Sequence, residues 1–192
     1  MTAVVRSAKG LGFENLPGVK VMEGSLSDAS FVESCIEGKD VVVSSLGFRI
    51  ASLAYWRYPY DPTYLGIAAD NIIAAMRKHG VKRVLFLSAA GNGDSFSKIG
   101  FVFRTFIRLT ALSHIYPLVE AVEKKFTAAE DLEVCCPRPP VLSDGPMKGT
   151  ATVHPNLFNS GGTITRADLA KFMLDEAVKD GPFEHKFPLI SE

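Results

Sequence analysis

Hydrophobic and polar positions divide the chain into two kinds of segment. Short, nearly continuous apolar runs are typical of strands buried on both faces, whereas apolar residues every three or four positions are typical of helices. The apolar runs predict strands at 2–5, 19–23, 40–45, 81–88, 132–136 and 185–190. Helical spacing falls between them, so we predict a three-layer α/β fold with a mostly parallel, doubly wound sheet.

Polar residues mark where several of these helices begin. Asp28 and Asp61 each offer a side-chain oxygen as an N-cap, and Pro62 suits the first helical position. Thr165 and Asp168 have the spacing of a capping box. The stretch 99–129 is predicted to be mostly helical, with a break near 113–117.

Composition narrows the class of protein. The chain has 192 residues, is 47% hydrophobic, and carries 21 basic and 21 acidic residues. This composition excludes a mainly disordered chain, and a net charge of zero gives no support for nucleic acid as a partner. We predict one domain over residues 1–192, because domains usually run to about 100–200 residues.

Cysteine usage and hydropathy bear on location. The three cysteines show neither a disulfide framework nor zinc-ligand spacing, and we expect them in the core: Cys35, Cys135 and Cys136. No apolar run approaches the roughly 18 residues of a membrane span. A reducing compartment, the cytoplasm, is the simplest expectation.

Two apolar regions suggest ligands or partners. The stretch 48–64 is rich in aromatic residues and, with loop 143–161, suggests an apolar planar ligand. Segment 99–112 is an apolar helix interleaved with Arg104 and Arg108. We expect it to cover a substrate pocket or to mediate self-association or contact with a partner subunit; a helix lying on a membrane surface is the alternative.

Six motifs in order carry a resemblance to a known family. They are Val4–Ser7, Pro17–Val21 with Gly24–Asp28, Asp40–Gly47, Gly80–Ser88, Arg138–Gly149 and Thr163–Ala170. Together they resemble an atypical short-chain dehydrogenase/reductase with an NAD(P)-binding Rossmann fold. Residues 139–149 are similar to NmrA-like proteins and to flavin reductases of the biliverdin-reductase-B kind.

The resemblance implies NADP as cofactor and a set of binding residues. Arg6, followed by Ser7, would receive the 2′-phosphate, since a guanidinium donates to phosphate in a planar fork. The loop at Ser25 and Leu26 would hold the adenine, although the family usually has Asp where Ser25 stands. The remaining cofactor-binding positions implied are Ser45, Leu46 and Gly47 beside the ribose, together with Pro139 and Val141.

The resemblance also implies catalytic positions. Ser88 ends a predicted strand where the family keeps a catalytic or substrate-facing serine. Tyr116 is the candidate acid, but Glu120 stands where the wider family has lysine four residues after the tyrosine. A carboxylate would raise the pKa of Tyr116 rather than lower it, so a structural role for Tyr116 is the alternative.

One part of the family's pattern is not found. The family opens with a strand, a Gly-rich turn and a helix that receive the cofactor pyrophosphate. Here the first strand resembles the family's second, and no periodic helix follows Gly10 and Gly12. We therefore expect a gap in the sheet between the strands at 2–6 and 40–45. Either the natural chain extends upstream or this is a shortened product. We expect NADP to bind with at best micromolar affinity.

Three functions are compatible with these patterns. The first is NADPH-dependent reduction of a small planar substrate of the flavin, quinone or tetrapyrrole type. The second is a non-catalytic NADP-sensing regulator or scaffold of the NmrA-like kind, favoured by the altered acid/base pair. The third is a truncated form without activity.

Overall fold

Strands and helices alternate along the chain as the pattern predicts. The computed structural model describes residues 1–10, 12, 16–47, 61–158 and 162–192. The strands are β1 Thr2–Val5, β2 Lys20–Glu23, β3 Val41–Ser44, β4 Arg83–Phe86, β5 Glu133–Cys135, β6 Val141–Ser143, β7 Thr152–His154, β8 Thr163–Thr165 and β9 Leu189–Ser191. The helices are α1 Ala29–Ile36, α2 Tyr64–His79, α3 Phe101–Leu109, α4 Leu112–Ala128 and α5 Arg166–Val178, with a 3₁₀-helix at Gly93–Lys98.

The strand pairing is mostly parallel. β1 pairs with β2, β3 with β4, β4 with β5, and β6 with β8, all in parallel, whereas β7 and β9 are antiparallel. Backbone hydrogen bonds from Cys136 to Lys186 and from Arg138 to Pro188 align the chain before β9 with the end of β5. This segment therefore extends the three-stranded β3–β4–β5 sheet by one extended chain.

Strand β4 shows why the fold has three layers. Val84 and Phe86 belong to a core cluster with residues of α1, α2 and α4, while Leu85 belongs to a second cluster with residues of α5. Side chains of a strand alternate between the two faces of the sheet. Helices therefore cover both faces, which confirms the predicted α/β class and explains why Val84, Leu85 and Phe86 are all apolar.

The predicted gap is present among the described residues. Val4 pairs with Met22, and Val42 pairs with Val84, so β1 and β3 belong to different sheets. Contacts between α1 and α2 join the β1–β2 pair to the β3–β4–β5 sheet. The cluster on this side contains Val32 from α1 and Ile72 from α2.

Two of the three predicted helix caps are confirmed. Asp28 is the N-cap of α1 and accepts from the backbone N–H of Phe31 at 3.1 Å. Thr165 caps α5 and accepts from the N–H of Asp168 at 3.0 Å. Asp61 does not cap α2. It accepts from both the N–H and the hydroxyl of Thr63, and the helix begins after Thr63, at Tyr64.

Two predicted boundaries are wrong. The break in the 99–129 stretch lies between α3 and α4, at residues 110–111, rather than near 113–117. Pro117 lies within the second turn of α4, where it lacks the N–H that an interior helical residue donates to the carbonyl four positions earlier. The last strand is shorter and later than predicted, Leu189–Ser191 instead of 185–190.

Candidate active site

The carboxyl ends of the central strands meet at one end of the sheet. Ser88 follows β4, and its backbone N–H donates to Pro137 O, while Leu87 N–H donates to Ser44 O at the end of β3. Two residues after Ser88, the N–H of Ala90 donates to Pro139 O. Ligands in open α/β sheets bind beyond the carboxyl ends of the strands, so this is the expected position for chemistry.

The loop after β4 is held in one conformation by its own hydrogen bonds. Ser95 accepts from Gly91 N–H at 2.9 Å and donates to Asn92 O at 2.6 Å. Gly91 has φ +93°, and a Cβ there would lie 2.8 Å from Ile99 Cδ1. A larger residue at position 91 would be strained in its backbone and would clash, so only glycine lets this loop pack closely.

Within that loop, Asn92 contacts Ser88 directly. The Asn92 Nδ2 donates to Ser88 Oγ at 3.1 Å, and both residues are buried. Because the hydroxyl oxygen accepts from Asn92, its own proton points elsewhere. Asn92 Oδ1 is buried and has no hydrogen-bond partner among the described residues.

A cavity of about 360 Å³ adjoins this loop. Asn92 contributes a polar group to its lining, and Phe96, Ile107 and Tyr116 contribute apolar surface. Arg108 lies over the Phe96 ring at 5.0 Å and also lines the cavity. An apolar cavity with a few polar groups suits a small planar ligand.

Tyr116 lies in the cavity wall with its hydroxyl engaged. The phenol donates to Ala90 O at 3.0 Å, and burial raises its pKa. The phenol therefore stays protonated at neutral pH. Glu120, one helical turn further along α4, pairs with Lys124 at 2.7 Å and also lines the cavity.

A buried arginine stabilises the loop after β4. Arg138 is 2% exposed and donates through Nε and Nη2 to the carboxylate of Glu123, which is 4% exposed. Its Nη1 donates to Asp94 Oδ1 at 2.6 Å, and its guanidinium lies 4.3 Å from the centre of the Phe187 ring. Hydrogen bonds from Lys98 and then Arg138 lower the pKa of Asp94. The network ties the 3₁₀-helix beside the cavity to α4.

The residues expected at the adenosine end lie on the other sheet. Arg6 and Ser7 follow β1 and are exposed, and Ser7 Oγ accepts from Lys9 N–H at 3.4 Å. Ser25 is exposed, whereas Leu26 is half-buried and packs against the same core cluster as Leu46. The loop after β2 is tied to α2 because Asn71 Nδ2 donates to Leu26 O at 2.9 Å.

The other predicted cofactor positions follow β3 and β5. Ser45 and Gly47 are exposed, and a Cβ added at Gly47 would meet no atom of the described residues within 4 Å. Pro139 is buried, and its carbonyl oxygen accepts from Ala90. Val141 begins β6, its side chain is 47% exposed, and its N–H donates to Gly162 O. The structure thus brings Ser45 and Pro139 to the end of the sheet that bears Ser88, and Arg6 to a separate sheet.

Sequence reasoning missed Asn92 and the position of Gly91. Both lie in a loop of small residues, 89–97, that directly follows a buried strand. A glycine-bearing loop at the carboxyl end of a parallel strand was the available signal. The predicted aromatic ligand stretch could not be placed, since residues 48–60 lie outside the described residues and only its end, including Tyr64, is described.

Other candidate chemistries receive no support from the described part of the chain. Cys35, Cys135 and Cys136 are buried as predicted, and burial raises the pKa of Cys135 to about 12. The described residues contain no metal-binding group of three or more His, Cys, Asp or Glu side chains. None of the described helices is long and apolar enough to cross a membrane.

A second cleft lies at the opposite ends of the strands. It has a volume of about 470 Å³ and is lined by residues that include Met1, Gly18 and Lys39. These residues lie at the amino ends of β1, β2 and β3, away from the carboxyl ends where Ser88 lies. We therefore assign the candidate active site to the smaller cavity.

Known proteins share this architecture. The chain is similar to ChuY, an anaerobillin reductase from Escherichia coli O157:H7, with 21% identity and a TM-score of 0.77, covering 100% of this chain and 84% of that one. It is also similar to a short-chain dehydrogenase/reductase from Veillonella parvula DSM 2008 in complex with NADP, with 18% identity and a TM-score of 0.71, covering 100% and 82%. At these identities the likeness shows the fold.

A family match extends this likeness to the sequence. Residues 1–180 match the model of the family described as NAD(P)H-binding. The matched range contains the loops after β1, β2, β3 and β4 and the cavity beside α4. This protein therefore belongs to the NAD(P)H-binding family and has the Rossmann-like fold of the atypical short-chain dehydrogenases/reductases.

Proposed function

We propose that this protein is an NADPH-dependent reductase of a small planar acceptor of the flavin, quinone or tetrapyrrole type. The observation that carries the proposal is the cavity lined by Asn92, whose amide contacts Ser88. Its wall combines apolar side chains with a few polar ones, among them Arg108 and Glu120. The cavity adjoins the sheet end where a family of this fold binds its cofactor. ChuY, one of the similar solved structures, is named an anaerobillin reductase, and that name supports a reductase function.

The proposal assigns the nicotinamide cofactor to the positions that follow β1, β2 and β3. Arg6 offers an exposed guanidinium for the 2′-phosphate, and Leu26 offers apolar surface for the adenine. Leu46 and the exposed Gly47 are assigned to the ribose. Bound NADPH would supply a hydride, and a proton from solvent completes the two-electron reduction of the acceptor.

Ser88 is proposed to orient the acceptor. Since Asn92 donates to Ser88 Oγ, the Ser88 proton is left to donate to a carbonyl or ring nitrogen of the ligand. For Tyr116 to act as proton donor, its hydroxyl must leave Ala90 O. A role for Tyr116 in holding the loop after β4 is therefore the alternative to a role as acid.

A non-catalytic NADP-binding regulator is the second candidate function. The observation that favours it is the engaged, protonated Tyr116 with Glu120, rather than a lysine, one turn away. Such a protein would bind NADPH without oxidising it. Its output would be a contact with a partner rather than a product.

Cofactor binding and NADPH oxidation, measured together, separate the two functions. Titration of NADPH and NADH into the purified chain gives the cofactor affinities, and absorbance of NADPH then follows turnover with a flavin, a quinone and a linear tetrapyrrole. The reductase proposal expects acceptor-dependent NADPH oxidation that is lost on heat denaturation. Saturable NADPH binding with no oxidation by any acceptor would instead support the regulator.

A further inference from the structure

The turn after β1 binds the side-chain carboxylate of Glu23. The backbone N–H of Ala8 donates to Glu23 Oε2 at 2.7 Å, and the next N–H, that of Lys9, donates to Ser7 Oγ. Glu23 is the last residue of β2 and the register partner of Val5. A carboxylate held by a backbone N–H at this distance is a charge-assisted hydrogen bond.

The carboxylate lies beside the turn to which the proposed function assigns the 2′-phosphate. Residues 6–9 contain two cations, Arg6 and Lys9, and the backbone donor of Ala8. These are the groups with which a turn binds a phosphate. Glu23 engages one of these donors and adds a like charge to the phosphate's surroundings.

We propose that Glu23 determines cofactor specificity by competing with the 2′-phosphate for the turn at residues 6–9. The inference rests on the proposed function, which assigns the 2′-phosphate to Arg6. Glu23 weakens NADP relative to NAD, because NAD places no phosphate beside the carboxylate. The chain then discriminates between the two cofactors less than Arg6 alone would allow.

Glu23→Gln is the informative change. The amide oxygen of glutamine can still accept from Ala8 N–H, so the turn keeps its hydrogen bond and loses only the charge. The matched control is Glu37→Gln, which removes one negative charge from the exposed residue after α1. Glu37 follows the far end of α1, whereas Glu23 ends β2 before α1 begins. The eight residues of α1 span about 12 Å, since a helix rises about 1.5 Å per residue.

The probes are 2′-AMP and 5′-AMP, measured by calorimetric titration with the full chain. They share base, sugar and charge and differ only in where the phosphate is attached. Glu23→Gln is expected to tighten 2′-AMP about tenfold, equivalent to about 1.4 kcal/mol, and to leave 5′-AMP within about twofold. Glu37→Gln should leave both ligands within about twofold.

The remaining outcomes separate the inference from the function on which it rests. If Arg6→Ala weakens 2′-AMP but Glu23→Gln leaves it unchanged, the role of Glu23 is wrong and the phosphate assignment stands. Equal tightening of both ligands by Glu23→Gln also overturns the inference, since the effect is then general charge. If neither Arg6→Ala nor Glu23→Gln changes the affinity for 2′-AMP, both the inference and the assignment of the phosphate to Arg6 are overturned.

Discussion

Arg138 is the residue on which the candidate site most depends for its shape. Its guanidinium is almost fully buried between Glu123 of α4 and Asp94 of the 3₁₀-helix. A buried charge is tolerated only when its partner is present, because desolvation of the unpaired ion is costly. The network therefore stabilises the relative position of two walls of the cavity.

Arg138→Met is expected to lower the free energy of unfolding by about 3–5 kcal/mol, because Glu123 is left as an unpaired buried charge. Urea denaturation measures the change. Adding Glu123→Leu to this variant should restore part of the loss. Lys171→Met removes a cation from an exposed pair with Asp175 and should change stability by no more than about 1 kcal/mol. A loss of similar size in the two single variants would contradict the role of burial.

Ser88→Ala is expected to lower kcat about 10–100-fold at unchanged NADPH affinity. The reason is the loss of one hydrogen bond to the reacting acceptor, about 1.5–3 kcal/mol where charge develops. Steady-state kinetics and NADPH titration measure the two quantities. Ser97→Ala, at an exposed serine of the 3₁₀-helix, is the control. A fall in kcat for Tyr116→Phe with none for Ser88→Ala would make Tyr116 the proton donor instead.

Asp168 should make stability fall in acid. Hydrogen bonds from the Thr165 hydroxyl and then from Lys148 N–H lower its pKa below the usual 3.8. A depressed carboxyl pKa contributes stability above the unfolded value, and this is lost as pH falls through the folded value. The difference in Tm between wild type and Asp168→Asn should be full above pH 3.8 and shrink below it. Asp175→Asn, at an exposed carboxylate on the same helix, is the matched control.

At the scale of elements, the hydrophobic pattern and the N-cap residues predicted most of the helices and the central strands. The caps of α1 and α5 were readable because Asp28 and Thr165 precede apolar periodicity. Strands β6, β7 and β8 have three residues each and, unlike the equally short β5, do not belong to a longer apolar run. The break between α3 and α4 was placed too late: proline disfavours a helix interior, yet α4 continues through Pro117.

Helix α3 presents two chemically similar faces in different surroundings. Phe101 and Val102 are 80% and 81% exposed, while Ile107 is 4% exposed. The double variant Phe101→Ser, Val102→Ser should leave stability within about 0.5 kcal/mol, as surface changes usually do. Ile107→Ser should cost at least about 2 kcal/mol, since it removes core contacts. Thermal unfolding measures both, and light scattering tests whether the exposed face mediates self-association.

At the scale of the molecule, the fold class followed from strand–helix alternation, but the site did not. Ser88 could be placed because it ends a buried strand. Asn92 could not, because only the folded loop shows that its amide reaches back to Ser88. Arg138 was visible in a motif, yet its pairing joins residues 15 and 44 positions away, which local patterns do not encode.

The two sheets should differ in local stability. Each residue from Val84 to Phe86 in β4 is fully buried, and the strand has a partner on each side. The residues of β1 and β2 are exposed or half-buried, and each strand has one partner among the described residues. Hydrogen exchange followed by mass spectrometry should therefore show faster exchange in β1 and β2 than in β4. Equal protection in both sheets would mean that they open together.

The separation of β1 from β3 has a consequence for solubility. Among the described residues, each strand leaves one row of backbone N–H and C=O groups without a strand partner. Natural sheets protect such rows with lysine or proline, which the sequences TAVV and VVVS of these strands do not contain. With a net charge of zero, two molecules meet little long-range repulsion. We therefore expect aggregation of this chain to proceed by strand addition at β1 and β3, and to depend on protein concentration more than on salt.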